Sequence, residues 1–418
     1  MSERIRASPR DPTYNDTHIE NSHAGLNFVD PALSQEWAVK LRFVQTDGKK
    51  HGSGFYVNIP GVRHDVILTA GHNLIDEHGQ LSRNITVLGR TPDEDIPVGN
   101  SYHICDDYIK TPQSSNAVKD YGIILLPQTN KPGFGFSLKL AYVDDLEGEV
   151  RVTGYRDDTP AGSPITSSGS YICTEDQIVY KASTEQGISG SAVWVAYEGF
   201  ETVVAIHNHR PKSAGTGSRG TRLNLNVLMD VFKWANVGWL SKVIKVSDQS
   251  PHIGGNLYLQ FSENSLEARV RVSTDGSGVD TRFNILPAHS WPTTAKKLSL
   301  YVFTLEEPAM LKEERGKWVS WNPEAQEVVL VNELRESCLV RVQEDDKSSM
   351  RIIRVVGKDL MDVRMAATRI TEDEIMLGIE ETSEVSFGKY VKRSKIPVKV
   401  SKSNYFPSSP STDLTNNE

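Results

Sequence analysis

Three short segments carry residue types suited to breaking an acyl bond. Val66-Ile67-Leu68-Thr69-Ala70-Gly71-His72 is an apolar strand that ends in small residues and a histidine, so it can fix an imidazole beside a cleft. Asp120-Tyr121-Gly122-Ile123-Ile124-Leu125-Leu126 sets a single acid at the mouth of an apolar strand. A carboxylate is costly to bury there without a partner, and a histidine Nδ1–H is a suitable one. In Gly187-Ile188-Ser189-Gly190-Ser191-Ala192, glycines flank a serine, so the backbone can turn sharply and present Oγ and adjacent amides to one point. Each signal alone is modest, since a histidine after small residues also occurs at structural turns and Gly-X-Ser-Gly also occurs in plain loops. Their conjunction supplies a base, an acid to orient it and a nucleophile.

The elements that must position these residues are short strands. Trp37, Val39, Leu41 and Phe43 alternate with polar or charged neighbours, and the Asp47-Gly48 turn leads toward a second strand at Phe55 to Val57, which reads as an opening hairpin. Apolar, β-branched runs recur at Val66–Leu68, Ile85–Leu88, Ile123–Leu126, Val150–Val152, Ile178–Tyr180, Ala192–Val195 and Val203–Ile206 without helices between them. That pattern points to antiparallel barrels or a sandwich. The first helical periodicity comes late, with Leu225, Leu228, Met229 and Phe232 on one face, and closes this unit near Trp239. The expected division is a flexible lead-in over residues 1–34, a catalytic unit over 35–246, a linker over 247–256, a second β-rich, sandwich-like domain over 257–400 and a disordered tail over 401–418. Strand-like runs at Leu257–Phe261, Leu298–Val302, Val328–Val331, Leu339–Val342 and Arg351–Val355 support the second domain.

At 418 residues the chain is long enough for two cores. No stretch approaches the roughly 18 apolar residues of a membrane helix, so no membrane span is expected. A net charge of -8 gives no general attraction to phosphate backbones, which excludes nucleic acid as an expected partner. Cys105, Cys173 and Cys338 are too few and too irregular for a disulfide framework or a zinc site. The charged N-terminus lacks the apolar core of a secretory signal, so a cytoplasmic location is expected.

In chain order, His72, Asp120 and Ser189 reproduce the order of the chymotrypsin class, and about the first 245 residues resemble a trypsin-like serine peptidase. Within that class the pattern is closest to the glutamyl endopeptidase branch. The resemblance implies a chymotrypsin-like double β-barrel with a C-terminal helix, and says nothing of the second domain. It also implies that Thr184, five positions before the serine, and His207, after Val203–Ile206, line the specificity pocket. There a hydroxyl and an imidazole would donate to a substrate carboxylate, giving cleavage after Glu or Asp. The basic stretch from Arg210 to Arg222 reads as a solvated loop that would at most guide acidic peptides.

One departure from the family is informative. Ile188 stands where the trypsin branch has an acid that pairs with a newly cut amine, so activation by that ion pair is excluded. The implied mechanism has His72 as general base, Asp120 fixing its tautomer, Ser189 as nucleophile and the amides of Gly187 and Ser189 as oxyanion hole. No metal or organic cofactor is called for. The expected partners are a protein or peptide substrate and a regulatory partner acting through the C-terminal domain. The rival reading is a catalytically silent, protease-shaped binding or regulatory module.

Overall fold

The computed structural model describes residues 35–142, 146, 148–209 and 217–237, and beyond these the strands named below with residues 291, 292 and 334. The expected lead-in of residues 1–34, the linker 247–256 and the tail from 402 onward lie outside the described residues.

The apolar residues that alternate along the first strand are all buried, and so is Lys40 between them. In Ala38–Gln45 (β1), Val39, Leu41 and Phe43 are buried, while Arg42 faces solvent. The hairpin at Asp47-Gly48 returns as Gly48–Val57 (β2), which pairs with β1 from Gln45↔Gly48 to Ala38↔Phe55. This strand starts earlier than the expected Phe55, because Lys49 to Gly54 have little β propensity of their own and are held by pairing with β1. His64–Thr69 (β3), Arg83–Leu88 (β4), Ile96–Pro97 (β5), Tyr102–Ile104 (β6) and Gly122–Pro127 (β7) complete a seven-stranded antiparallel sheet ordered β5-β4-β1-β2-β3-β7-β6. A short helix, Asp106–Lys110 (α1), lies between β6 and β7. At five residues it is too short to leave a periodic signal.

The second sheet follows Gly135–Ser137 (β8). It comprises Val150–Gly154 (β9), Ile165–Gly169 (β10), Tyr171–Cys173 (β11), Gln177–Tyr180 (β12), Ala192–Tyr197 (β13), Phe200–His209 (β14) and Ser218–Arg222 (β15). Its antiparallel order is β10-β9-β13-β14-β15-β12-β11, with β8 parallel to the start of β14. Leu225–Trp234 (α2) follows, capped by the Asn224 side chain, which accepts from the Val227 amide at 3.1 Å. Val227, Leu228, Val231 and Phe232 are its buried face, and Leu225 and Met229 pack at the margin. Two curled antiparallel sheets followed by this helix form the chymotrypsin-like double β-barrel.

The chain does not close at Trp239. It continues as Trp239–Val243 (β16), Lys245–Val246 (β17), Leu257–Ser262 (β18), Arg269–Ser273 (β19) and Arg282–Ser290 (β20), with further strands from Leu300–Leu305 to Lys399–Ser401. Of the strand-like runs expected beyond residue 256, Leu257–Phe261, Val328–Val331 and Arg351–Val355 fall on strands, as do the described parts of the other two, from residues 300 and 340. β20 was not expected, because Pro287 in its middle reads as a strand breaker. It pairs with β16 and also with β8, through His289↔Ser137 and Ser290↔Phe136. Ser290 Oγ donates to the Asn58 carbonyl at 2.6 Å, and Asn58 Nδ2 donates to the Trp291 carbonyl at 2.7 Å. Leu286, Ala288, Val302 and Trp318 share one apolar cluster with Trp37, Phe55 and Phe134. Among the described residues, no helix is long and apolar enough to cross a membrane.

This shared core generates a prediction. A chain ending at residue 246 is expected to lose the sharp thermal transition of the full chain, and Trp318→Ala to cost about 3–5 kcal/mol in urea denaturation. Full-chain stability in either variant would show that β20 and its neighbours are dispensable to the barrels.

Candidate active site

His72 sits in a 3-10 turn, Gly71–Asn73, directly after β3. Its backbone amide donates to Asp120 Oδ1 at 2.8 Å, and its Nδ1 is 2.7 Å from Asp120 Oδ2. The Asp120 side chain is wholly buried, whereas that of His72 is 30% exposed, which leaves the imidazole reachable. Burial works against the charged imidazole, but the Asp120 charge and hydrogen bond outweigh it and raise the His72 pKa above its ordinary 6.5.

Asp120 is presented by the end of a turn over Ser114–Lys119, and the second sheet holds that turn. Asn208 Nδ2 on β14 and Thr221 Oγ1 on β15 donate to the Ala117 carbonyl at 2.8 and 2.9 Å, and the Asp120 amide donates to the same carbonyl at 3.3 Å.

The serine turn needs its glycines. Gly187 has φ +95° and Gly190 φ +91°, and a Cβ on Gly190 would lie 2.0 Å from the Ser53 carbonyl oxygen. Strand β2 holds this turn. The Ser53 amide donates to the Ser189 carbonyl at 2.7 Å, and Ser53 Oγ donates to the Gly187 carbonyl at 2.9 Å. The Tyr155 amide in turn donates to Ser53 Oγ at 2.8 Å. Asn73 Nδ2, in the residue after His72, donates to the Ser189 carbonyl at 2.9 Å and so ties the two segments together. The loop behind is fixed by the Asp157 amide, which donates to the Gln186 carbonyl at 2.9 Å, and by buried Lys40, whose ammonium donates to the carbonyls of Arg156, Asp157 and Thr159. Ile188 is 1% exposed and packs with Val152, Ile178 and Val193 in the second apolar cluster.

Among the described residues, the amides of Gly187 and Ser189 donate to no protein group, and Ser189 Oγ makes no hydrogen bond to His72 or to any other side chain. Two donors and a hydroxyl thus remain available at a turn anchored beside an imidazole. Such a set can deliver a nucleophile to a carbonyl and receive the charge that develops on its oxygen.

Thr184 and His207 also meet in one neighbourhood. Thr184 Oγ1 is 2.7 Å from Ser218 Oγ, Ser218 lies opposite Tyr180 on the paired strands, and Tyr180 OH is 2.5 Å from His207 Nδ1. Burial pushes the Tyr180 pKa well above its ordinary 10, so the phenol keeps its proton. A protonated phenol can donate to His207 Nδ1. Arg222, within the basic stretch, is 2% exposed and donates to the carbonyls of Thr174 and Leu140, a structural duty.

Sequence reasoning did not single out Ser53, Asn73, Tyr180, Asn208, His209 or Ser218. Adjacency to His72 and His207 would have flagged Asn73 and Asn208. Nothing local marks Ser53, which acts across more than a hundred residues of chain.

No protein-family model and no curated protein matches the chain. Solved structures similar to residues of this chain include a thermostable serine protease from an extremophilic microorganism, with 14% identity, 50% of this chain and 100% of that chain covered, and a TM-score of 0.40. HL collagenase has 11% identity over 49% of this chain and 95% of that one, also with a TM-score of 0.40. An inactivated protease paralogue of the scabies mite has 15% identity over 47% and 95%, with a TM-score of 0.37.

The Ser53 clamp is open to test. Ser53→Ala leaves the Gly187 carbonyl and the Tyr155 amide without their partner and is expected to cost about 1–3 kcal/mol in thermal or urea unfolding. Unchanged stability would mean that water or a shifted loop replaces the hydroxyl.

Proposed function

We propose that this chain is a serine endopeptidase in which His72, Asp120 and Ser189 form the catalytic triad. The observation that carries this reading is the buried Asp120–His72 pair, tied through Asn73 to a glycine-bounded serine turn with two undirected amides. In the proposed reaction, the substrate carbonyl settles against the Gly187 and Ser189 amides and the Ser189 hydroxyl rotates toward His72 Nε2. His72 takes the hydroxyl proton as Oγ bonds to the carbonyl carbon, then gives that proton to the leaving amine. Water, deprotonated by the same imidazole, releases the acyl group. Asp120 keeps Nδ1 protonated and stabilises the imidazolium, and each oxyanion donor contributes about 10²–10³ in rate in a comparable site.

For specificity, we propose a pocket built on Thr184 and His207 that accepts Glu or Asp before the scissile bond. The Thr184 hydroxyl and the His207 Nε2–H are the donors, with Tyr180 setting the imidazole tautomer. Hydrogen bonds of this kind to a carboxylate contribute about 1.5–3 kcal/mol each. We further propose that residues 257–400 form an accessory β-rich domain of the same enzyme, through which a regulatory partner would act.

Four outcomes are expected. A fluorophosphonate probe should label the full chain and not Ser189→Ala, whereas equal labelling of both, or of neither, would favour a silent module. Labelling should rise with pH through a midpoint above 6.5, because His72 must be neutral to act as base and Asp120 raises its pKa. Asp120→Asn should lower that midpoint while cutting the rate on the order of 10³–10⁴. Peptide-library cleavage should place an acidic residue before the cut, with Thr184→Val weakening that preference, and a dominant basic or aromatic choice there would reject the pocket.

A further inference from the structure

Asp120 is approached by a second imidazole. His209, the last residue of β14, places Nε2 3.5 Å from Asp120 Oδ2, the same oxygen that bonds His72 Nδ1. The two rings stack, with centroids 5.9 Å apart and planes 26° from parallel. Both are partly exposed, at 23% and 30%, whereas the carboxylate between them is at 0%. One negative charge therefore serves two groups that can each become positive, and it can neutralise only one of them.

We propose that His209 is a positioning residue for the His72–Asp120 pair, a second imidazole on the shared carboxylate that makes His72 harder to protonate. The inference rests on the triad reading above. Protonating either ring spends the carboxylate's charge and sets a cation against the other ring, so the two titrate as a coupled pair and the second proton binds less readily than the first. In the fraction of molecules in which His209 holds the shared proton, His72 stays neutral, and competent as a base, to lower pH than with Asp120 alone. Among the described residues, three further charged or titratable groups stand near the pair. Tyr108, beside Asp120, has its pKa pushed well above 10 by burial and by the carboxylate charge. Lys119 immediately precedes Asp120, and Arg219 lies opposite His209 on β15.

The test uses full-length protein and two readouts. The first is the rate of fluorophosphonate labelling from about pH 5 to 9 for wild type, His209→Gln and His209→Phe. The second is the ring titration of His72 by proton–nitrogen correlation spectra in the Ser189→Ala background, which needs no activity. Removing His209 should move both midpoints up by roughly 0.5–1 pH unit, for unit charges about 6 Å apart in partly screened surroundings. That shift is about a threefold to tenfold lower labelling rate on the acid limb, relative to each variant's own plateau. Both substitutions should act alike, since each removes the charge. A midpoint unmoved in both variants, or moved by Gln but kept by Phe, would overturn the proposal, the latter because ring packing rather than charge would then be at work. A wild type that never labels while its His72 titration still shifts on removing His209 would defeat the triad reading and leave only the coupling of the two rings standing.

Discussion

A carboxylate with no exposure to water is the constraint on which the site depends. Asp120 is tolerable because His72 gives it both a backbone amide and a ring N–H, with the His209 ring 3.5 Å away as well. Those two bonds dictate the turn after β3, the tautomer of the imidazole and the approach of β3 to the segment before β7. They also require the second sheet, because the turn that presents Asp120 is held by Asn208 and Thr221 from β14 and β15. The charge belongs to one barrel and its scaffold to the other, so the cleft between them is assembled by the same contacts that satisfy its most expensive group.

Ser53 plays the matching part on the serine side. Its amide and hydroxyl bond two carbonyls of the Gly187–Ser189 turn, and its oxygen also receives the Tyr155 amide. With Ile188 buried among apolar neighbours, the turn is shaped by strand contacts within the barrels and has no acid available at that position for a terminal amine. The question raised by Ile188 in the sequence, of what forms the turn in place of an ion pair, has its geometric counterpart in Ser53, Asn73 and Lys40.

The double barrel was legible because its strands are marked locally, by apolar β-branched runs between turn residues, and the alternating Trp37, Val39, Leu41 and Phe43 are all buried. The three candidate catalytic residues were legible because each stands in a distinctive local setting of strand end, strand mouth or glycine pair. What was not legible acts at long range or against propensity. Ser53 and Lys40 lie more than a hundred residues from the groups they hold. Strand β20 contains a proline and owes its conformation to neighbours on both flanks. The end of the first unit was read at Trp239 because the helix before it is a strong local signal, whereas the pairing of β16 with β20 is written in no contiguous stretch of chain.

The Ser189 carbonyl has a further consequence as the meeting point of the two sheets. Its two partners, Ser53 on β2 and Asn73 beside His72, both belong to the first barrel, while the serine itself leads into β13 of the second. Hydrogen bonds of 2.7 and 2.9 Å weaken steeply with small separations. A wedge driven between the barrels would therefore displace the Ser189 turn without touching it, which makes the seam itself a lever on that turn.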